Sequence, residues 1–233
     1  MDRRTSLLSL YDILPFHEHP LWKAILNHEL TLDQVLRAET QHYLRTKAGQ
    51  SLRSEALEKA RGVSPKLFEA LLETYLEECT NQKSGPSHLE LIARLLLEGG
   101  VTQSLLDSSQ STPGNSAAIA LYRDITFRGA ACHMVGAGVV EHYYSQLAPR
   151  VFEAYTTKYG MTPYQAETYS LHGPMDQVHA ERAIGILDEA INVHGWDVIE
   201  QSVRDAFVAT SLHYDGMLQA ALGKIVYWNG EET

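Results

Sequence analysis

The chain has 233 residues, 44% of them hydrophobic, which is enough for one substantial core; it reads as a single domain spanning 1–233. A formal net charge of -10 disfavours the phosphate-neutralising contacts by which proteins hold nucleic acid, so nucleic acid is excluded as a partner. No stretch approaches the roughly 18 to 20 apolar residues of a membrane span, and the start carries Arg3 and Arg4 without a long apolar run, so a cytoplasmic protein with no membrane partner is expected.

Alternation of β-branched with polar residues is almost absent, whereas apolar residues recur at spacings of three and four, which predicts an all-α fold. In chain order the pattern predicts helices over 21–27, 32–59, 65–82, 88–98, 116–147, 150–159, 163–194 and 196–224, a bundle of about seven to eight helices. Gly62-Val63-Ser64-Pro65, Ser84-Gly85-Pro86-Ser87 and Gly160-Met161-Thr162-Pro163 supply turns and caps between them. The Ser-, Thr-, Pro- and Gly-rich segment 107–115 is expected to be a mobile surface loop.

The helix over 65–82 ends in Glu77-Glu78, and the next begins at His88, so one carboxylate and one imidazole can meet there. Glu78 lies on the inward face marked by Leu71 and Tyr75, at i+7 and i+3, while Glu77 continues a less apolar stripe; Glu78 is chosen, with Glu77 as the alternative. Further on, Ala130 to Gly138 is a run of small residues that lets another helix approach closely, and Glu141 follows it. His133 and His142 are read as surface or supporting groups.

The most specific pattern is His172-x3-Asp176-x2-His179, because residues at i, i+4 and i+7 share one helical face. Tyr169, Met175 and Val178 flank it on an adjacent apolar stripe, so the ligand face is expected to border the core. Gly173 and Pro174 predict a kink beside His172. Together Glu78, His88, Glu141, His172, Asp176 and His179 provide three carboxylates and three imidazoles, a set suited to two iron or manganese ions and too oxygen-rich for structural zinc.

With these residues in hand, the chain resembles the heme-oxygenase-like diiron oxidases, the group related to thiaminase II and pyrroloquinoline-quinone synthase, and within it most nearly the chlamydial protein associated with death domains. The opening from His17 to Gln34 carries the fold-level likeness; the segment ending at His88, Glu141 and the His-Asp-His triplet carry the diiron likeness. The gap from Glu78 to His88 is longer than in some relatives, whose spacing would place the histidine near Asn81. The resemblance implies a heme-oxygenase-like bundle, two Fe(II) per chain with manganese admissible at one position, O2 as co-substrate, and a homodimer. It also implies oxidation of a small amine, amino acid or fatty acid-like molecule. Substrate selection would fall to side chains such as Trp22, Tyr43, Tyr144, Tyr169, Phe207 and His213.

Three other readings compete. A thiaminase-like hydrolase would need Cys79 or Cys132 as nucleophile, the only two cysteines in the chain. A cofactorless oxidase of the quinone-synthase type would use the histidines without metal, and an interaction module would use exposed helix faces.

Overall fold

The computed structural model describes residues 2–83 and 85–231, so Ser84 of the expected Ser84–Ser87 turn lies outside the described residues. The described residues contain helices and no strand: α1 (Arg3–Leu8), two 3-10 turns (Ser9–Ile13 and Phe16–Glu18), α2 (Pro20–Leu26), α3 (Leu32–Ala60), α4 (Pro65–Cys79), α5 (His88–Glu98), α6 (Gln103–Ser108), α7 (Pro113–Arg128), α8 (Ala130–Thr157), α9 (Glu167–Ile184), α10 (Leu187–His194) and α11 (Trp196–Leu222). The starts follow the capping chemistry. Thr31 with Gln34 and Ser87 with Glu90 form reciprocal capping boxes, and Ser64 caps α4 ahead of Pro65 at its first turn.

Eleven α-helices replace the expected seven to eight, for three local reasons. The short α1 and α6 are too brief to carry a periodic signal. The expected boundary at 147–150 does not exist, because Pro149 sits inside α8; the break falls instead at Gly129, where an added Cβ would lie 2.4 Å from the His194 ring. The expected helix over 163–194 begins only at Glu167 and divides at Gly185 and Ile186.

Two further expectations change. The segment 107–115 is not free of the body: the buried Gln41 side chain donates to Gln110 O at 3.1 Å and accepts from Thr112 N at 2.9 Å, and Asn115 is fully buried. In α9 the chain stays helical through Gly173 and Pro174. The carbonyl that Pro174 leaves unbonded belongs to the exposed Ser170, where water can satisfy it.

One contiguous apolar core runs through the bundle, with Phe16, Trp22, Ile92, Leu95, Tyr155 and Phe207 among its most deeply buried members. The small-residue run of α8 works as its sequence implies. A Cβ on Gly138 would sit 2.1 Å from Ala183 Cβ of α9, and one on Gly173 of α9 would sit 3.1 Å from Pro149 of α8, so the two helices run antiparallel in close contact. That approach sets Glu141 beside His179. Gly138→Ala is therefore expected to lower unfolding free energy by about 1–2 kcal/mol, because so close an approach puts overpacking at about 2–3 kcal/mol, which exceeds the roughly 1 kcal/mol that alanine gains over glycine in a helix. Denaturant unfolding checks it; an unchanged midpoint would contradict the close approach.

Candidate metal centre

Three helices and the start of a fourth bring the six sequence-derived residues to one place. α4 delivers Glu78 at its last turn, the first residue of α5 is His88, α8 carries Glu141, and α9 carries His172, Asp176 and His179. All three residues of the triplet are buried, whereas Val178 is 55% exposed. The ligand face of α9 is thus the core face itself, and the apolar stripe that the sequence places inward through Val178 turns partly to solvent.

The ligand atoms fall into two groups that share Glu78. Glu78, His88 and His172 form one, and Glu78, Asp176 and His179 the other, each with its oxygen and nitrogen atoms within 4.8 Å of one another. Glu78 Oε1 lies 3.5 Å from His172 Nε2 and 3.6 Å from His179 Nδ1. Glu141 stands at the edge of the second group, its Oε2 3.7 Å from His179 Nδ1. Of the two glutamates that end α4, Glu78 enters both groups.

Glu77 has a different place. Its carboxylate accepts from His179 Nε2 at 3.1 Å and from Arg182 at 2.8 Å, so that His179 presents Nδ1 inward. His172 donates its Nδ1 proton to the Thr168 carbonyl at 2.6 Å, which leaves Nε2 inward in the same manner. A histidine oriented by an oxygen on its far nitrogen is the common arrangement around protein-bound metals. Correspondingly, Glu78 Oε1, His172 Nε2 and His179 Nδ1 are buried atoms without a hydrogen-bond partner. Three converging, unpartnered ligand atoms of mixed oxygen and nitrogen type fit iron or manganese.

Without ions the charges balance among the protein's own groups. Burial opposes ionisation of Glu78, but the Arg53 guanidinium, the nearby His172 imidazole and the hydrogen bond from His88 outweigh it and hold the carboxyl well below its usual range. Burial likewise opposes the His172 cation, yet Glu78 raises it to about 9. Asp176 is pushed the other way: burial, together with the charges of Glu141 and Glu78, raises its carboxyl well above the ordinary value. Arg53 bridges the two glutamates, at 3.0 Å from Glu78 Oε2 and 3.2 Å from Glu141 Oε1.

Five of the six residues, all but His179, line a cavity of about 110 Å³, whose lining also includes Trp22, His42, Arg45, Thr46, Tyr122, His133, Tyr144, His213 and Met217. Of the side chains named above for substrate selection, Trp22, Tyr144 and His213 line it, while Tyr43, Tyr169 and Phe207 do not. Tyr43 is one position away from His42 on α3, about 100° around the helix. Tyr169 is committed to the buried Glu39, to which it donates at 2.6 Å, and Phe207 packs among Tyr11, Phe16 and Tyr143. His133 is not on the surface. It is buried, donates Nδ1–H to Thr126 at 2.8 Å, and is held by burial to about 3.

Sequence reasoning missed the polar side of α3: Glu39, His42, Arg45, Thr46 and Arg53. Its one available signal is that five polar residues at spacings of three, four and seven occupy a helix long enough to cross the whole bundle.

A family model described as iron-containing redox enzyme matches residues 40–194, a segment that holds all six cluster residues. The chain belongs to that family. Its fold is the heme-oxygenase-like one. A CADD-like protein of unknown function from Nostoc punctiforme superposes with a TM-score of 0.75 at 17% identity, over 96% of this chain and 97% of that one. A domain of unknown function with a heme oxygenase-like fold from Shewanella denitrificans gives 0.72 at 17% identity, over 93% and 89%. A TenA homolog from Pseudomonas syringae gives 0.70 at 14% identity, over 93% of each chain. No curated protein matches the chain. No helix among the described residues is long and apolar enough to cross a membrane.

Proposed function

We propose that this member of the iron-containing redox enzymes is a non-heme diiron oxidase that holds two ferrous ions between Glu78, His88, Glu141, His172, Asp176 and His179. The observation that carries this reading is that Glu78 belongs to both groups of ligand-type side chains, and that its Oε1, His172 Nε2 and His179 Nδ1 are buried and unpartnered. Two ferrous ions so held would supply the electrons and open coordination positions for reducing O2, with manganese admissible at one position.

The chain's own residues do the rest. Thr168 and Glu77 fix which nitrogen of His172 and His179 faces inward. Leu52, Ile119, Val140 and Met217 line the cavity and keep water from the reacting end. Tyr144 and Tyr214 remain protonated there, since burial raises both phenols above their usual range, and can donate to a bound molecule.

The hydrolase alternative loses its nucleophile. Neither Cys79 nor Cys132 is among the residues lining the cavity, and burial raises both thiols, which keeps them from being thiolates at neutral pH. Anaerobic titration with Fe(II) tests the proposal. Uptake of about two ions per chain is expected, reduced by His172→Ala or by His179→Ala, since each substitution leaves a cation underligated. Exposure of the ferrous protein to O2 should then produce a transient visible absorption. Unchanged stoichiometry in both variants would reject the site.

A further inference from the structure

The unpartnered buried atoms of this protein are not all ligand-type. Trp22 Nε1, Arg45 Nε and Thr46 Oγ1 are also buried without a hydrogen-bond partner, and all three residues line the same cavity as the cluster. Trp22 and Thr46 are 1% and 7% exposed. The indole and guanidinium nitrogens can only donate, and a hydroxyl can. The wall of the cavity therefore includes residues that carry acceptors and imidazoles as well as residues that carry idle donors.

Arg45 differs from its neighbour Arg53 in what it touches. Arg53 binds two glutamates, whereas the Arg45 guanidinium lies over the Tyr122 ring, 4.8 Å from the centroid, with no carboxylate partner among the described residues. A half-buried cation without a counter-charge, beside idle N–H and O–H donors, is costly unless something else supplies the anion. Tyr214 joins the two parts of the wall: its ring meets the Trp22 ring at 5.0 Å, and the Arg45 charge opposes the rise that burial imposes on its phenol.

We propose that Arg45, Thr46 and Trp22 form a carboxylate subsite, and that the molecule this cavity takes is a small monocarboxylic acid with an apolar body. One guanidinium with neutral donors matches a single negative charge, and Leu52, Ile119, Val140 and Met217 offer nothing to a second polar group. At 10–15 Å³ for each water-sized occupant, a cavity of 110 Å³ holds roughly ten non-hydrogen atoms. The acid lies with its carboxylate on the Arg45 side and its body towards Glu78 and His172. This assignment rests on the oxidase reading only for what happens to the acid, not for its binding.

Isothermal titration tests it, with straight-chain acids from butanoate to decanoate, benzoate and phenylacetate as probes, each beside its primary amide. Both the metal-free and the anaerobic iron-loaded protein are titrated. At least one acid should bind saturably to both forms, about tenfold or more tighter than its amide, as a charge-assisted hydrogen bond is worth. Arg45→Gln should lower that affinity about tenfold or more, and Trp22→Phe and Thr46→Val, which remove one donor each at nearly constant bulk, about threefold each. None of the three should alter iron stoichiometry. Equal binding of acid and amide, acid affinity unchanged in Arg45→Gln, or no saturable binding by any acid would overturn the subsite. Should Arg45→Gln not fold, unchanged affinity in both Trp22→Phe and Thr46→Val would overturn it equally. Acid discrimination without iron uptake would reject the diiron reading and keep the subsite; iron uptake without discrimination would do the reverse.

Discussion

Glu78→Ala is expected to weaken binding of both ferrous ions by roughly a hundredfold or more, whereas His88→Ala should impair only one of them. The difference follows from geometry. Glu78 belongs to both ligand groups and His88 to one, so removing the carboxylate withdraws an anionic ligand from each position at once. Glu77→Ala provides the scale. It deletes the carboxylate that orients His179 but no ligand, and losses of about 10–100-fold confined to one ion are expected of such supporting partners. Anaerobic titration resolved into two binding events, read by the ferrous near-infrared transitions, separates the three variants. If Glu78→Ala still bound two ions with ordinary affinity, the shared role of this carboxylate would be wrong.

The largest loss of stability is expected away from the cluster, at Glu39. This fully buried carboxylate accepts from Tyr155 and, at 2.6 Å, from Tyr169, and its second oxygen lies 3.0 Å from His42 Nδ1. The network ties α3 to α8 and α9, and through His42, whose ring lies 5.3 Å from that of His88, it braces the ligand on α5. Burial, with Glu39 reinforcing it, raises both phenols well above their usual range, so both remain donors. Glu39→Ala would leave two buried hydroxyls and an imidazole without their acceptor in a new cavity. At about 1–3 kcal/mol for each orphaned group, a loss of about 3–5 kcal/mol is expected. Glu39→Gln keeps an amide oxygen for the tyrosines and should recover part of it. Denaturant unfolding of the metal-free protein measures both, and a loss below about 1 kcal/mol in the alanine variant would show that the network does not brace the core.

The elements legible in the sequence are those written within a few turns of helix. The His172, Asp176 and His179 triplet is one, since helical spacing alone puts the three side chains on one face. Thr31, Ser64 and Ser87 begin their helices because an N-cap needs only a side-chain oxygen two or three residues ahead of its N–H partner. Closeness of α8 to another helix was likewise readable from its small residues, though not which helix it would be. The need for glycine at the Gly129 break was not readable, because the ring that leaves no room for a side chain there is that of His194, sixty-five positions away.

By itself, then, the sequence determined an all-helical chain with a metal-competent triplet and the residues that could complete it, because periodicity and spacing are local properties of a helix. Only the tertiary structure shows Glu78, chosen from the sequence, turned into both groups of ligand-type side chains and Glu77 turned behind His179. It alone put Arg53 between two glutamates, left Arg45 without one, and set Trp22 and Thr46 in the wall of the same cavity. Those roles depend on which helices pack together and on which side chains burial leaves unpartnered, and neither is encoded in the spacing along a single helix.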